Sequence, residues 1–301
     1  MGRKKELRGH LLAIVSILIW GTTFISTKIL LETFSPIETL FIRITLAFVV
    51  LLVVCPRRLK LTDRKQELYF MAAGLCGVTL YYLLENIALT YTLASNVGVI
   101  VSLSPFFTAI LAHWFLDGEK LRVQFFVGFV VAVLGISLIS FNSISNLQIN
   151  PTGDILAVLA AAAWSAYSIF TKKISGFRYN TIQSTRRIFF YGLLFMIPTL
   201  FIFGFKPDIN QIFRPINLFN FIFLGAGASA LCFVTWNLAV KKLGAIKTSV
   251  YIYMVPVIAV VTATLVLGEP ITWIAVVGIL LTLAGLFISE TKVFAKKKER
   301  P

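Results

Sequence analysis

The feature that most constrains this chain is that it is written twice. Trp20, Lys28 and Arg43 return as Trp164, Lys172 and Arg187, each 144 positions later. Asn86 and Pro105 return as Asn237 and Pro256, 151 positions later. Gly118, Glu119, Gly128 and Gly135 return as Gly268, Glu269, Gly278 and Gly285, 150 positions later. The order never scrambles, and the interval drifts only where loops differ in length. Each copy holds five apolar stretches of membrane length. Five is odd, so two copies in series enter a bilayer in opposite orientations.

The stretches run over about 10–31, 36–55, 67–90, 95–116, 121–141, 153–173, 181–204, 217–240, 246–267 and 270–290, each long enough for a hydrocarbon core of about 30 Å. Of the 301 residues, 58% are hydrophobic and only 14% charged, against about 25% charged in a soluble domain. Lipid accepts only helices or closed barrels, because every backbone polar group must be satisfied internally. The apolar runs are continuous rather than ten-residue alternating strands. The expected fold is therefore an all-α membrane protein of ten transmembrane helices in two inverted five-helix repeats. The first repeat covers 10–141 and the second 153–290, with an external linker at 142–152 and a basic tail at 291–301.

The formal charge of +15 invites a nucleic-acid reading, but the charges are sorted by topology. Twenty-two Lys and Arg residues fall on one set of alternate loops and the termini; the other set holds only Lys206 and Arg214. The positive-inside rule then places both termini in the cytoplasm, as in a multi-pass plasma-membrane protein, and no nucleic-acid partner is expected. Cys55, Cys76 and Cys232 lie in or at the ends of apolar stretches, which gives no disulfide framework.

Depth follows from a rise of about 1.5 Å per residue. Trp20, Pro105, Trp164 and Pro256 each lie about ten residues into a stretch, close to the midplane by that rise. A proline inside a helix frees the carbonyl four residues back; here those belong to Val101 and Ile252. Two matched breaks at mid-depth suit a solute site, whereas a single one reads as an ordinary kink. Most nearby Ser and Thr read as helix packing or back-bonding. The aromatic residues differ, since Trp and Tyr otherwise concentrate at the interfaces. The expected cavity walls are Trp20, Tyr81, Asn86, Ser104, Pro105, Trp164, Tyr251 and Pro256.

Ionisable residues within lipid-spanning stretches are functional candidates by default. Arg43 and Glu85 sit at similar depths near one mouth, either as a gate or proton-sensitive pair or as a static ion pair joining two helices. Arg187 with Asn237 is expected at the other mouth. Gly128 with Gly135, and Gly278 with Gly285, mark faces for close helix approach or oligomerisation; a homodimer is open on this reading. Glu119 and Glu269 are expected to cap helix N-termini. His10 and His113 have no ligand spacing, and no nucleotide loop or nucleophile elbow is present. Neither a cofactor, a metal nor an enzymatic activity is expected.

These residues resemble the EamA-type members of the drug/metabolite transporter superfamily. The resemblance rests on Ile19-Trp20-Gly21 with Lys28, on Arg43, on Asn86-Ile87-Ala88-Leu89, on Ser104-Pro105 and on Leu116-Asp117-Gly118-Glu119. Trp164, Arg187, Asn237, Val255-Pro256 and Leu267-Gly268-Glu269-Pro270 carry it in the second half. It implies a basket of ten helices around a central cavity lined by helices 1–4 and 6–9, with the fifth and tenth as supports, and export or exchange of small metabolites such as amino acids, or of amphipathic toxic compounds; the inverted repeats point to alternating access. Trp164-Ser165 stands where the first half has Trp20-Gly21, so close packing is not symmetric. The rival reading is a non-transporting membrane sensor or an intramembrane enzyme.

Overall fold

The computed structural model describes residues 2–91, 94–117, 122–142, 150–267 and 272–290, and among these every regular element is helical. Helices α1 (Gly2–Leu31) and α2 (Pro36–Val54) are followed by α3 (Arg64–Tyr91), α4 (Ala94–Val101), α5 (Ser104–Phe115) and α6 (Val123–Asn142). Then come α7 (Pro151–Gly176), α8 (Thr181–Ile202), α9 (Pro215–Leu243), α10 (Ala245–Ser249), α11 (Met254–Leu267) and α12 (Trp273–Glu290). Among the described residues, six helices are long and apolar enough to cross a membrane: α1, α2, α3, α7, α8 and α9. The outer surface is correspondingly apolar, with Val53, Phe201 and Trp273 at 75%, 83% and 84% exposure. Such an area of exposed apolar surface is stable only against lipid. The chain is an all-α, multi-pass membrane protein.

Local chemistry starts the helices where they start. Ser35 caps α2 in a reciprocal box with Glu38, and Pro36 takes the first turn, where its missing N–H costs nothing. Asn150 and Asn180 cap α7 and α8 by accepting from two backbone N–H groups each. Gly244, at φ 97°, turns the chain between α9 and α10, a conformation L side chains resist.

The expected stretches at 95–116 and 246–267 are not continuous helices. The first breaks at Ser102–Leu103, between α4 and α5. The second passes through a 3₁₀ turn at Val250–Tyr253 between α10 and α11. Each break lies just ahead of its proline, as the lost N–H requires. The carbonyl of Val101, freed by Pro105, accepts the Ser104 hydroxyl at 2.5 Å. Two further distortions follow the repeat but leave no mark in composition. Leu75–Leu80 of α3 and Phe223–Leu231 of α9 are π-helical, a geometry that frees backbone carbonyls.

Helix α6 packs against α12 along the paired glycines. A Cβ on Gly128 would lie 2.5 Å from the Gly285 carbonyl oxygen, and one on Gly135 would lie 2.6 Å from that of Gly278. These faces are therefore used inside the chain. Elsewhere α1 packs on α9, α3 on α7 and α8, and α2 on α8. Lys28 is exposed. Glu119, Glu269, Gly118, Gly268, most of the 142–152 linker and the 291–301 tail lie outside the described residues.

Candidate functional site

A cavity with about 700 Å³ of empty space, part of it continuous with the surroundings, opens between α1, α2, α3, α4, α7 and α11. Trp20, Tyr81 and Trp164 form aromatic walls; Thr23, Thr27, Asn86 and Ser102 add polar groups, and Arg43 and Glu85 add charge. Val101 and Ser102 come from the α4–α5 break, and Ile252 and Val255 from the 3₁₀ turn and the residues after it. The helix breaks thus line the cavity, while Pro105 and Pro256 themselves are buried behind them.

The charged residues are held by a hydrogen-bonded frame rather than by a direct ion pair. Arg43 is 5% exposed; its Nε donates to Ser229 Oγ at 2.7 Å and its Nη2 to the Tyr82 hydroxyl at 3.0 Å. Its guanidinium also lies 4.4 Å from the centre of the Tyr82 ring. Glu85, 8% exposed, accepts from the Tyr81 hydroxyl at 2.9 Å. Arg43 and Glu85 face one cavity without bonding each other. A charge buried at this depth needs such partners, since desolvation is otherwise prohibitive.

The floor of the cavity is an aromatic cluster. Trp20 and Trp164 meet edge to face at 5.2 Å, Trp20 and Trp236 lie 5.1 Å apart, and Tyr81 and Trp164 4.9 Å apart. Trp20 is oriented by its Nε1, which donates to the carbonyl of Ala228 at 2.8 Å, inside the π-helical part of α9. The indole N–H of Trp164 is buried with no acceptor among the described residues.

Beyond this floor, the other end of the bundle is tied across by polar contacts. Arg187 pairs with Glu67 through two N–H groups, one at 2.6 Å, and donates a third bond to the Leu59 carbonyl at 2.9 Å. The Tyr191 hydroxyl donates to the same Glu67. Arg186 donates to the carbonyls of Cys55 and Arg57 beyond the end of α2. Asn237 does not pair with Arg187. It accepts from the Tyr167 hydroxyl at 2.8 Å, donates to Thr185 at 3.1 Å and lines a separate small pocket.

Of the residues expected from sequence, the structure therefore brings Trp20, Tyr81, Asn86, Trp164, Arg43 and Glu85 to the cavity. Ser104 is fully buried against α7, where its carbonyl accepts from Ser165 at 2.9 Å. Tyr251 is hydrogen-bonded to His10 at 2.6 Å, away from the cavity lining. Depth was readable for both, but the side of the helix they occupy depends on packing. Sequence reasoning missed Tyr82, Ser229 and Glu67. Tyr82 lay beside Tyr81 as a signal; Glu67 sat unmarked at the start of an apolar stretch.

A lipid-embedded helical bundle with a charged, aromatic-walled interior cavity is an architecture that membrane carriers use. The model of the EamA-like transporter family matches residues 7–141 and again 151–291, and the chain belongs to that family. It is thus a transporter rather than an enzyme. Among similar proteins, an uncharacterized transporter of Archaeoglobus fulgidus is 27% identical over 287 residues, covering 94% of this chain and 97% of that one. A probable terminal-alkyne amino-acid exporter of Streptantibioticus cattleyicolor is 25% identical over 290 residues, covering 95% and 94%. A solved structure titled "Crystal structure of protein" superimposes with a TM-score of 0.76 at 18% identity, over 93% of this chain and 96% of that one. That likeness concerns the fold alone.

Proposed function

We propose that this chain is a plasma-membrane secondary transporter that exports small organic metabolites, amino-acid-like or amphipathic, by alternating access. In this reading the ten stretches span the bilayer as two inverted repeats with both termini cytoplasmic. The cavity occupies the half of the bundle away from the N-terminus, so it faces outward. Export is supported by the name of the Streptantibioticus relative and orientation by the sorting of basic residues.

The observation that carries the reading is the unequal closure of the two ends. One end holds the cavity of Trp20, Tyr81, Trp164, Arg43 and Glu85; the other is tied by Arg187–Glu67 and by Arg186. A carrier caught with one access path open has this asymmetry. Aromatic faces would hold the apolar part of a solute, while Arg43 and Glu85 would orient its polar groups. As the sole carboxylate of the lining among the described residues, Glu85 is the candidate proton carrier.

The test is flux of labelled amino acids and aromatic cations in proteoliposomes. Wild-type protein should move at least one of these solutes above empty vesicles, and Trp20→Ala should lose most of that flux while inserting normally. Wild-type flux from an inserted Trp20→Ala protein would remove the cavity from the transport path.

A further inference from the structure

The end of the bundle opposite the main cavity contains a second pocket, with about 300 Å³ of empty space. Its polar lining comes from Thr171 and Ser175 of α7, Tyr179 between α7 and α8, Thr181 and Ser184 of α8, and Asn237 and Lys241 of α9. Among the described residues Lys241 Nζ makes one long bond, 3.4 Å, to the Tyr179 carbonyl, and an ammonium carries three donors. The hydroxyls of Thr181 and Ser184 make no hydrogen bond among the described residues, although Ser184 is only 6% exposed. Asn237 has one of its two amide N–H groups committed, to Thr185. Among the described residues, no carboxylate lines the pocket. A lysine, two uncommitted hydroxyls and an amide N–H, with no acid, offer donors to an anion and little to a cation.

The repeat gives the pocket its meaning. Asn237 stands 151 positions after Asn86, and Thr171 stands 144 after Thr27, the intervals that relate the two copies. Thr27 and Asn86 line the main cavity; their counterparts line this pocket. The pocket thus holds the second-copy counterparts of two residues of the main cavity. Its chemistry has diverged. Where the first copy has Thr90 and Glu85, the second has Lys241 and Trp236, each 151 positions on. The main cavity holds Arg43 with Glu85; the pocket holds Lys241 and, among the described residues, no acid.

We propose that this pocket is an anion site that takes a carboxylate or phosphate group of a small solute arriving at that end of the protein. Its place in the transport cycle, as the first stop for the acidic group of the cargo, rests on the carrier reading above; its preference for anions does not.

Thiol labelling tests it without any transport measurement. The full-length chain, with Cys55, Cys76 and Cys232 replaced by Ala, carries Ser184→Cys or Thr181→Cys in phosphatidylcholine vesicles. Labelling rates are compared for a negatively charged sulfonate and a positively charged trimethylammonium methanethiosulfonate, each normalised to its rate with 2-mercaptoethanol. The pocket should favour the negative reagent by about 10-fold, as one close, partly desolvated charge would give. Lys241→Gln should abolish the preference and Lys241→Arg should keep it. Sodium acetate or inorganic phosphate should slow labelling. An equal normalised rate for the two reagents, a preference that survives Lys241→Gln, or no labelling at either position would overturn the proposal. Slowing only when phosphatidylglycerol is added would overturn it in favour of a lipid headgroup.

Discussion

Glu67 and Arg187, 120 positions apart, meet as a two-pronged ion pair that joins the start of α3 to α8. Their side chains are 25% and 27% exposed, and Tyr191 adds a third donor to the carboxylate. The contact ties the first half of the chain to the second on the side away from the cavity.

Breaking this tie should loosen that end. Glu67→Gln removes the negative charge and one of the two oxygens that Arg187 bonds, leaving the amide oxygen and the Leu59 carbonyl as neutral acceptors. The thermal midpoint in detergent should fall by on the order of 2–4 °C, the shift that a loss of about 1 kcal/mol produces in a chain of this size class. The exchanged pair Glu67→Arg with Arg187→Glu should recover part of the loss. An unchanged midpoint in Glu67→Gln would mean the pair contributes nothing to holding the ends together.

Trp20 is fixed by its bond to the Ala228 carbonyl and by edge contacts with Trp164 and Trp236. Trp20→Ala should raise the KM for a transported solute by roughly 30-fold, equivalent to about 2 kcal/mol for a central aromatic anchor. Trp20→Phe, which keeps the ring but not the N–H, should fall between. Tyr251→Phe lies off the cavity lining and should leave KM close to wild type. Concentration-dependent uptake into proteoliposomes separates the three.

Glu85 is held by Tyr81 and faces the cavity. If it carries the coupling proton, Glu85→Gln should retain solute exchange under balanced conditions and lose accumulation driven by a pH gradient. Accumulation equal to wild type would discard the coupling role and leave Glu85 as a solute-orienting group.

Gly77, in the π-helical part of α3, is pressed against Tyr167. A Cβ there would lie 2.1 Å from the ring. Gly77→Ala should destabilise by about 1–3 kcal/mol through overpacking, visible as a lowered melting point. Gly176→Ala, where a Cβ meets nothing within 4 Å, is the control and should be neutral or slightly stabilising.

Trp20 and Trp164 could be placed from the sequence because counting residues along an apolar stretch gives depth, and their recurrence marks them as a pair. Ser104 and Tyr251 have comparable signals, yet one is buried against α7 and the other bonds His10. Counting gives no azimuth, and in a helix whose faces are all apolar the pattern does not say which one looks inward. Glu67 was invisible as the partner of Arg187 for a related reason. Nothing local distinguishes an acid that ends a helix from one that closes an ion pair with a distant segment.

The sequence by itself determined that this chain is helical, lipid-embedded and duplicated. The exchange between water and hydrocarbon acts along one direction, the membrane normal, and composition read along the chain records it directly. Only the tertiary structure decided that Arg43 bonds Ser229 and Tyr82 rather than Glu85, and that the two copies of Asn and Thr face separate pockets. Those outcomes lie in the plane of the membrane, where lipid and protein interior are equally apolar. Side-chain shape, helix breaks and hydrogen bonds between distant residues then choose the neighbours.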